Sequence, residues 1–165
     1  MSTEKNPTTG LTLDVFGPTV EFLTLPNETQ DAFCVLKGTI PPSGVVPLHS
    51  HPDVEDLVVI SGEIQALRQD TESHEWIVGK AGDYFHVPSN SPHAWRNAST
   101  ESVVTLIFTT PKLGRFFQEW GRPMTSTLQP PTPKELARFA AISARYGYWN
   151  ATPEENTAVG IHLTF

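Results

Sequence analysis

The sequence has few of the features that would take it out of the ordinary globular class. Its single cysteine, Cys34, excludes an internal disulfide framework. It has no apolar run of about 18 residues, the length a membrane-spanning helix needs. Basic residues are scarce: Lys and Arg total 11 against 18 Asp and Glu, for a net charge of −7. That balance leaves no electrostatic footprint for nucleic acid and equally disfavours an anionic membrane surface. The opening MSTEKNPTTG lacks the apolar stretch of a secretory signal. A soluble cytoplasmic domain is therefore expected, and the Asn-x-Ser/Thr matches at Asn27, Asn97 and Asn150 read as coincidences.

Turn formers are plentiful. Fifteen prolines and eleven glycines are scattered along 165 residues and punctuate short apolar runs, the pattern of an all-β sandwich or barrel. Residues 1–10 are expected to be a flexible N-terminus. Residues 11–110 read as the barrel, with strands near Leu13–Phe16, Thr19–Thr24, Ala32–Ile40, Val54–Ile60, Glu63–Arg68, Glu75–Val78, Tyr84–Val87, His93–Asn97 and Val103–Phe108. Residues 111–165 read as a helical segment packed on it, the whole forming a single domain. Leu113, Phe116, Phe117 and Trp120 form a helical stripe between Pro111 and Gly121. Thr132-Pro133-Lys134-Glu135 is a capping box opening a second helix, with Leu136, Phe139, Ala140 and Ala144 as its apolar face, interrupted at Ser143 and ended by Gly147. Residues Thr157–Phe165 are expected to add one more strand.

The chemistry concentrates in Gly44-Val-Val-Pro-Leu-His49-Ser-His51-Pro-Asp-Val-Glu55. Alternate residues of a strand share a face, so His49 and His51 point the same way, about 6 to 7 Å apart. Glu55 has the same parity, although Pro52 and Asp53 are able to turn the chain between. Two imidazoles and a carboxylate on one face make a candidate metal site of intermediate hardness. A second segment, Gly82-Asp-Tyr-Phe-His-Val-Pro88-Ser-Asn90-Ser-Pro92-His93-Ala-Trp95-Arg96-Asn97, brings in His93 after a sharp turn.

Together these segments resemble the two signature motifs of the cupin superfamily. His49, His51, Glu55 and Gly62 match the first motif, and Gly82, Pro88, His93 and Asn97 the second. Gly44 is one residue closer to the His-x-His than is usual, and Asn90 stands where the second turn usually has glycine. Asn tolerates the left-handed conformation better than most residues. The resemblance covers roughly Ala32 to Phe108. It implies a jelly-roll barrel, or double-stranded β-helix, and one divalent transition-metal ion held by His49, His51, Glu55 and His93. Three nitrogens and an oxygen suit Fe, Mn, Ni, Co, Cu or Zn. The C-terminal segment resembles the tail of small single-domain cupins described as quercetin dioxygenase-like, which leaves open whether its first helix helps close the barrel mouth. A homodimer is expected by the same resemblance.

Around the site, Leu57 and Val59 share parity with Glu55 and are expected to line a substrate pocket. Trp95, two residues after His93, either lines it or fills the barrel. Val58 and Ile60 fall on the outer face, where a partner subunit or the N-terminal strands would cover them. His74, His86 and His162 read as solvated, structural or uninformative. Asn97 reads as holding a turn, and Cys34 as a buried filler. The leading functional reading is a metal-dependent dioxygenase acting on a small organic substrate, aromatic ones included, with Glu55 as ligand or base. Two alternatives stand beside it: a non-redox isomerase, cyclase or lyase acting on a sugar- or polyketide-like compound, and a small-molecule-binding protein without turnover.

Overall fold

The chain was analysed as a computed structural model that describes residues 10–30, 32–69, 73–127 and 129–163. Its strands are β1 (Thr12–Asp14), β2 (Thr19–Phe22), β3 (Cys34–Ile40), β4 (Val45–Ser50), β5 (Glu55–Ser61), β6 (Glu63–Gln69), β7 (His74–Lys80), β8 (Tyr84–Val87), β9 (His93–Arg96) and β10 (Val103–Thr109). After α1 (Pro111–Trp120) come β11 (Arg122–Pro123), α2 (Pro133–Tyr146), β12 (Trp149–Asn150) and α3 (Pro153–Ala158).

The strands form two antiparallel sheets, one ordered β11-β1-β2-β3-β10-β5-β8 and the other β12-β4-β9-β6-β7. This is the jelly-roll barrel with C-terminal helices that the motif resemblance implies, and the all-β class agrees with the turn spacing. Burial alternates along β3, β5 and β10, so each strand sends every second side chain into the space between the sheets. Phe22, Leu36, Leu57, Val59, Ile64 and Val103 meet there. The β5–β6 turn depends on Gly62, whose φ is +78°, and a Cβ at that position would lie 2.7 Å from the Ser102 carbonyl oxygen.

Four expectations need correction. The strand expected over Leu13–Phe16 stops at Asp14, because Phe16 has φ +66°. That conformation costs a bulky residue about 1 to 3 kcal/mol. The turn around it is held by Gly17 N–H donating to Asp14 Oδ1 at 2.9 Å and Val15 N–H donating to the Pro18 carbonyl at 2.8 Å. Residues 45–50 form β4, a strand left out of the expected runs although the shared parity of His49 and His51 assumes it, and it ends at Ser50, one residue before His51.

The buried face of α2 runs through Ile142 and Ser143, with Leu136 and Phe139 half-buried, while Ala140 and Ala144 are exposed. Small alanines on the solvent side leave the larger side chains to pack on α1. The strand expected over Thr157–Phe165 is absent from the described residues: α3 ends at Ala158, inside that stretch. A second capping box, Thr152 with Glu155, starts that helix, and residues 159–163 follow without regular structure; residues 164–165 lie outside the described region. The proposed flexible N-terminus, residues 1–9 of it, is likewise outside that region.

The tail has a structural task. Trp149 pairs with Ser50 and Asn150 with His49, so β12 covers the edge of β4. Asn156, fully buried, accepts from Leu48 N–H at 2.9 Å and donates to the carbonyls of Ala151 and Thr152. Trp76 Nε1–H donates to the Val159 carbonyl at 3.0 Å. Removing the Asn156 amide leaves a buried donor on β4 without a partner. Asn156→Ala should therefore lower stability by about 1 to 3 kcal/mol, read from the urea midpoint. An unchanged midpoint would show that the tail does not anchor β4.

Candidate metal centre

Three strands converge at one end of the barrel. His49 lies on β4 and His93 opens β9, where the two are direct cross-strand partners with ring centroids 4.1 Å apart. His51 follows β4, with its ring 5.5 Å from His49 and 5.0 Å from His93. Glu55 opens β5 in the opposite sheet, pairing with Val87 and Thr109. The second-motif turn is held close by Asn90 N–H donating to the His51 carbonyl at 2.7 Å. Asn90 adopts φ +60°, the left-handed conformation expected of it.

Each imidazole is oriented by the backbone. Nδ1 of His49 lies 2.7 Å from the Pro47 carbonyl, Nδ1 of His51 2.9 Å from that of Asp53, and Nδ1 of His93 2.9 Å from that of Ser91. A carbonyl only accepts, so each Nδ1 carries the proton and each Nε2 presents a lone pair. The three histidines each offer one nitrogen within 4.8 Å of the others. His51 and His93 are 3% and 5% exposed, and their Nε2 atoms have no well-formed hydrogen bond. Buried polar atoms without partners are costly, and a cation at their meeting point removes that cost. The residues present fit a transition-metal ion.

Glu55, 7% exposed, places Oε2 3.3 Å from His51 Nε2 and 3.8 Å from His93 Nε2. Burial alone would raise its pKa, but His51 and His93 outweigh burial and hold the carboxyl below its usual range. For His51, burial pulls downward and the adjacent Glu55 more than reverses it, leaving the pKa raised. His49 is held well below the ordinary value by burial and by the two neighbouring imidazoles, and His93 is lowered mainly by burial.

Of the other residues singled out from the sequence, Leu57 and Trp95 line a cavity of about 520 Å³ that also reaches His49, His51 and Glu55. The Trp95 ring is 6.4 Å from His93 and edge-on to Phe85 at 5.4 Å. Val59 is packed in the barrel core and is not among the cavity-lining residues. His86 is exposed, with Nδ1 2.7 Å from Asp56 Oδ1, and His74 is exposed at the start of β7. Asn97 does hold a turn: Nδ2 donates to the carbonyls of Ile40 and Glu101, and Oδ1 accepts from Ser99. Cys34 is buried, which pushes its thiol up to about 11.

The sequence reading missed two residues beside the centre. Asp53, read only as part of a turn, is 5% exposed. Its carbonyl orients His51, while its carboxylate accepts from the Thr110 hydroxyl and, at 2.5 Å, from the Tyr148 hydroxyl. The Tyr148 ring lies 5.5 Å from that of His51. Burial and the Asp53 carboxylate raise the Tyr148 pKa, so its hydroxyl stays a donor. No local pattern announces a contact between residues 53 and 148.

The comparisons agree with this architecture. The Cupin_2 (cupin domain) family model matches residues 27–109, half of the chain. A solved structure of a predicted oxalate decarboxylase from Thermotoga maritima is 18% identical with a TM-score of 0.54, covering 67% of this chain and 98% of its own. Oxalate decarboxylase from Bacillus subtilis is 21% identical with a TM-score of 0.52 over 61% of this chain, but the match spans only 27% of that longer chain. The Cupin_2 domain of an XRE-family transcriptional regulator from Enterobacter cloacae is 24% identical with a TM-score of 0.47, covering 57% of this chain and 96% of its own. At these identities the likeness to the two oxalate decarboxylase structures establishes the fold alone. No curated protein sequence matches the chain.

The electrostatics give a pH dependence with a definite sign. In the metal-free protein His51 is protonated below its raised pKa, and a metal ion must displace that proton. Glu55 stays ionised down to below its usual pKa, so His51 dominates in the weakly acidic range. Zinc affinity should be flat above the His51 pKa. Below it, affinity should fall by about tenfold per pH unit with release of one proton. Calorimetry in two buffers of different ionisation heat measures both. A pH-independent affinity across pH 5–7 would contradict the arrangement.

Proposed function

This chain belongs to the cupin family, and we propose that its three histidines, with Glu55 beside them, bind one divalent transition-metal ion and that the protein is a metal-dependent dioxygenase of a small organic substrate. The observation that carries this reading is the set of three backbone carbonyls that turn three Nε2 lone pairs toward one point at the end of an apolar cavity. An ion there would supply Lewis acidity toward a substrate oxygen and, if redox-active, one-electron chemistry toward dioxygen.

The chain's own residues supply the rest. The imidazoles hold a fixed tautomer, and the Thr110–Asp53–Tyr148 contacts keep the Asp53 carbonyl on His51. The buried apolar wall excludes water. Glu55 serves either as a fourth ligand or as the acceptor of a substrate proton, and its depressed pKa keeps it ionised for both roles.

That ionised carboxylate also favours a second reading, a non-redox isomerase, cyclase or lyase in which Glu55 moves a proton. Oxalate decarboxylation, the activity named for the two structural neighbours with the higher TM-scores, is not proposed. Among the described residues no lysine or arginine lines the cavity to hold a dianion.

The test is metal analysis of the native protein, followed by oxygen-electrode and product assays with the molecule that co-purifies. Iron, nickel or copper with stoichiometric oxygen uptake supports the dioxygenase. Turnover that continues without oxygen, or with zinc alone, transfers the site to the second reading. A His49→Ala, His93→Ala double variant that keeps stoichiometric metal would refute the centre itself.

The reading carries with it a cytoplasmic homodimer. Its support is an acidic chain with one buried cysteine and a group of exposed apolar side chains on the outer sheet face. No described helix is long and apolar enough to cross a membrane. Ile60, Tyr84 and Phe108 are 48%, 59% and 42% exposed on β5, β8 and β10, with Val58 and the Asp56–His86 pair on the same face. The N-terminal strands extend the far end of the sheet and leave this face open. Light scattering should give twice the chain mass, and Ile60→Lys with Phe108→Lys should give monomers. A monomeric parent protein would end the dimer proposal.

A further inference from the structure

We infer that the molecule this cavity receives has an uncharged, apolar, ring-bearing body lying along a row of aromatic side chains that leads away from the histidines, and that Phe16 at the far end of the row determines which bodies fit. This deepens the proposed function and rests on it only for the end of the molecule that meets the histidines.

The row is continuous. From His51 it passes to Tyr148 at 5.5 Å, then to Phe116 at 4.7 Å and Trp120 at 5.9 Å. Trp120 in turn meets Phe16 at 4.9 Å and Phe139 at 4.7 Å. All of them line the cavity that reaches His49, His51 and Glu55. Its volume, about 520 Å³, suits a molecule of several fused or linked rings and is wasteful for a two-carbon acid.

The charge pattern narrows the class. Among the described lining residues there is no lysine or arginine, and Glu55 is the one carboxylate. An anionic group on the body of the ligand would be buried without a counter-charge. The nearby Arg122 offers none, because its guanidinium is committed to Asp14 at 2.6 Å, to Glu135 and to the Gln129 carbonyl at 2.8 Å. Aromatic walls instead reward flat apolar faces.

Phe16 is the least expected member. Its backbone stands at φ +66°, where glycine would sit without strain. What the position supplies is therefore the ring. Trp120, Phe139 and the Arg122 guanidinium, 5.1 Å above it, hold that ring against the cavity. Gly17 and Pro18 continue the same wall.

The probe is 2-naphthol, a flat apolar molecule with one oxygen, titrated by calorimetry into metal-free and zinc-loaded protein, with oxalate as the small-dianion control. We expect one 2-naphthol site in both forms and no oxalate binding to the metal-free form. Phe16→Gly, which removes the ring at a position glycine favours, should weaken 2-naphthol by about tenfold in both forms. Its far-ultraviolet circular dichroism and zinc titration should match the parent. Phe16→Leu, which keeps bulk without a ring, should show a smaller fall of the same sign. Three results would each overturn the inference: failure of 2-naphthol to bind the metal-free protein, equal affinity in Phe16→Gly, or oxalate binding the metal-free protein as tightly. Loss of zinc binding alone, with the Phe16 dependence intact, would sink the metal reading and leave this one standing.

Discussion

Three hydrogen bonds from histidine Nδ1 to backbone carbonyls set the geometry of the candidate metal centre. Without them each imidazole would be free to choose its tautomer and rotate. With them the three Nε2 atoms are aimed at one point before any ion arrives. The carbonyls belong to Pro47, Asp53 and Ser91, each two residues from the histidine it serves, so the orientation is built into local chain geometry. What the barrel adds is the meeting of β4, β5 and β9 at one end.

The cost of that meeting is visible in the titratable groups. A buried carboxylate is tolerated because two imidazoles lie beside it, and one of those imidazoles is made more basic in return. Below the raised pKa of His51, a proton on that ring would perform part of the neutralising task of a cation. Outside this cluster, Asp53 takes its partners from residues 110 and 148. The C-terminal segment is therefore structurally part of the site, whether or not any of it moves.

Legibility in the sequence tracked the range of the interaction. His49, His51, Leu57 and the helix caps at Thr132 and Gly147 could be read locally, because strand parity and capping act within a few residues. His93 could be joined to them only through the resemblance of its motif, since its pairing with His49 spans 44 positions of sequence. The left-handed Phe16, the Asp53–Tyr148 contact and the choice of Ile142 over Ala140 for the buried face of α2 were not legible. The last two are decided by neighbours that the fold brings from elsewhere, whereas the Phe16 turn is held by local bonds among residues 14–18 and its ring by Trp120 and Phe139. The tail held two misses: Thr152-Pro153-Glu154-Glu155 carried a helix-start signal that was not used, and the strand expected over Thr157–Phe165 meets the end of α3 and then, over residues 159–163, no regular structure.

The direct pairing of His49 with His93 across β4 and β9 has a consequence for quality control. Side chains on paired strands alternate, so a slip of one residue in either strand would send one ring to the opposite side of the sheet. The ladder carries an irregularity between Val46 and His49, so the register on the two sides of it must be set separately. A chain that retains an ion at this centre has thereby aligned both strands and closed the two sheets on each other. Occupancy of the centre would then report how much of a preparation is correctly folded, independently of any catalytic assay.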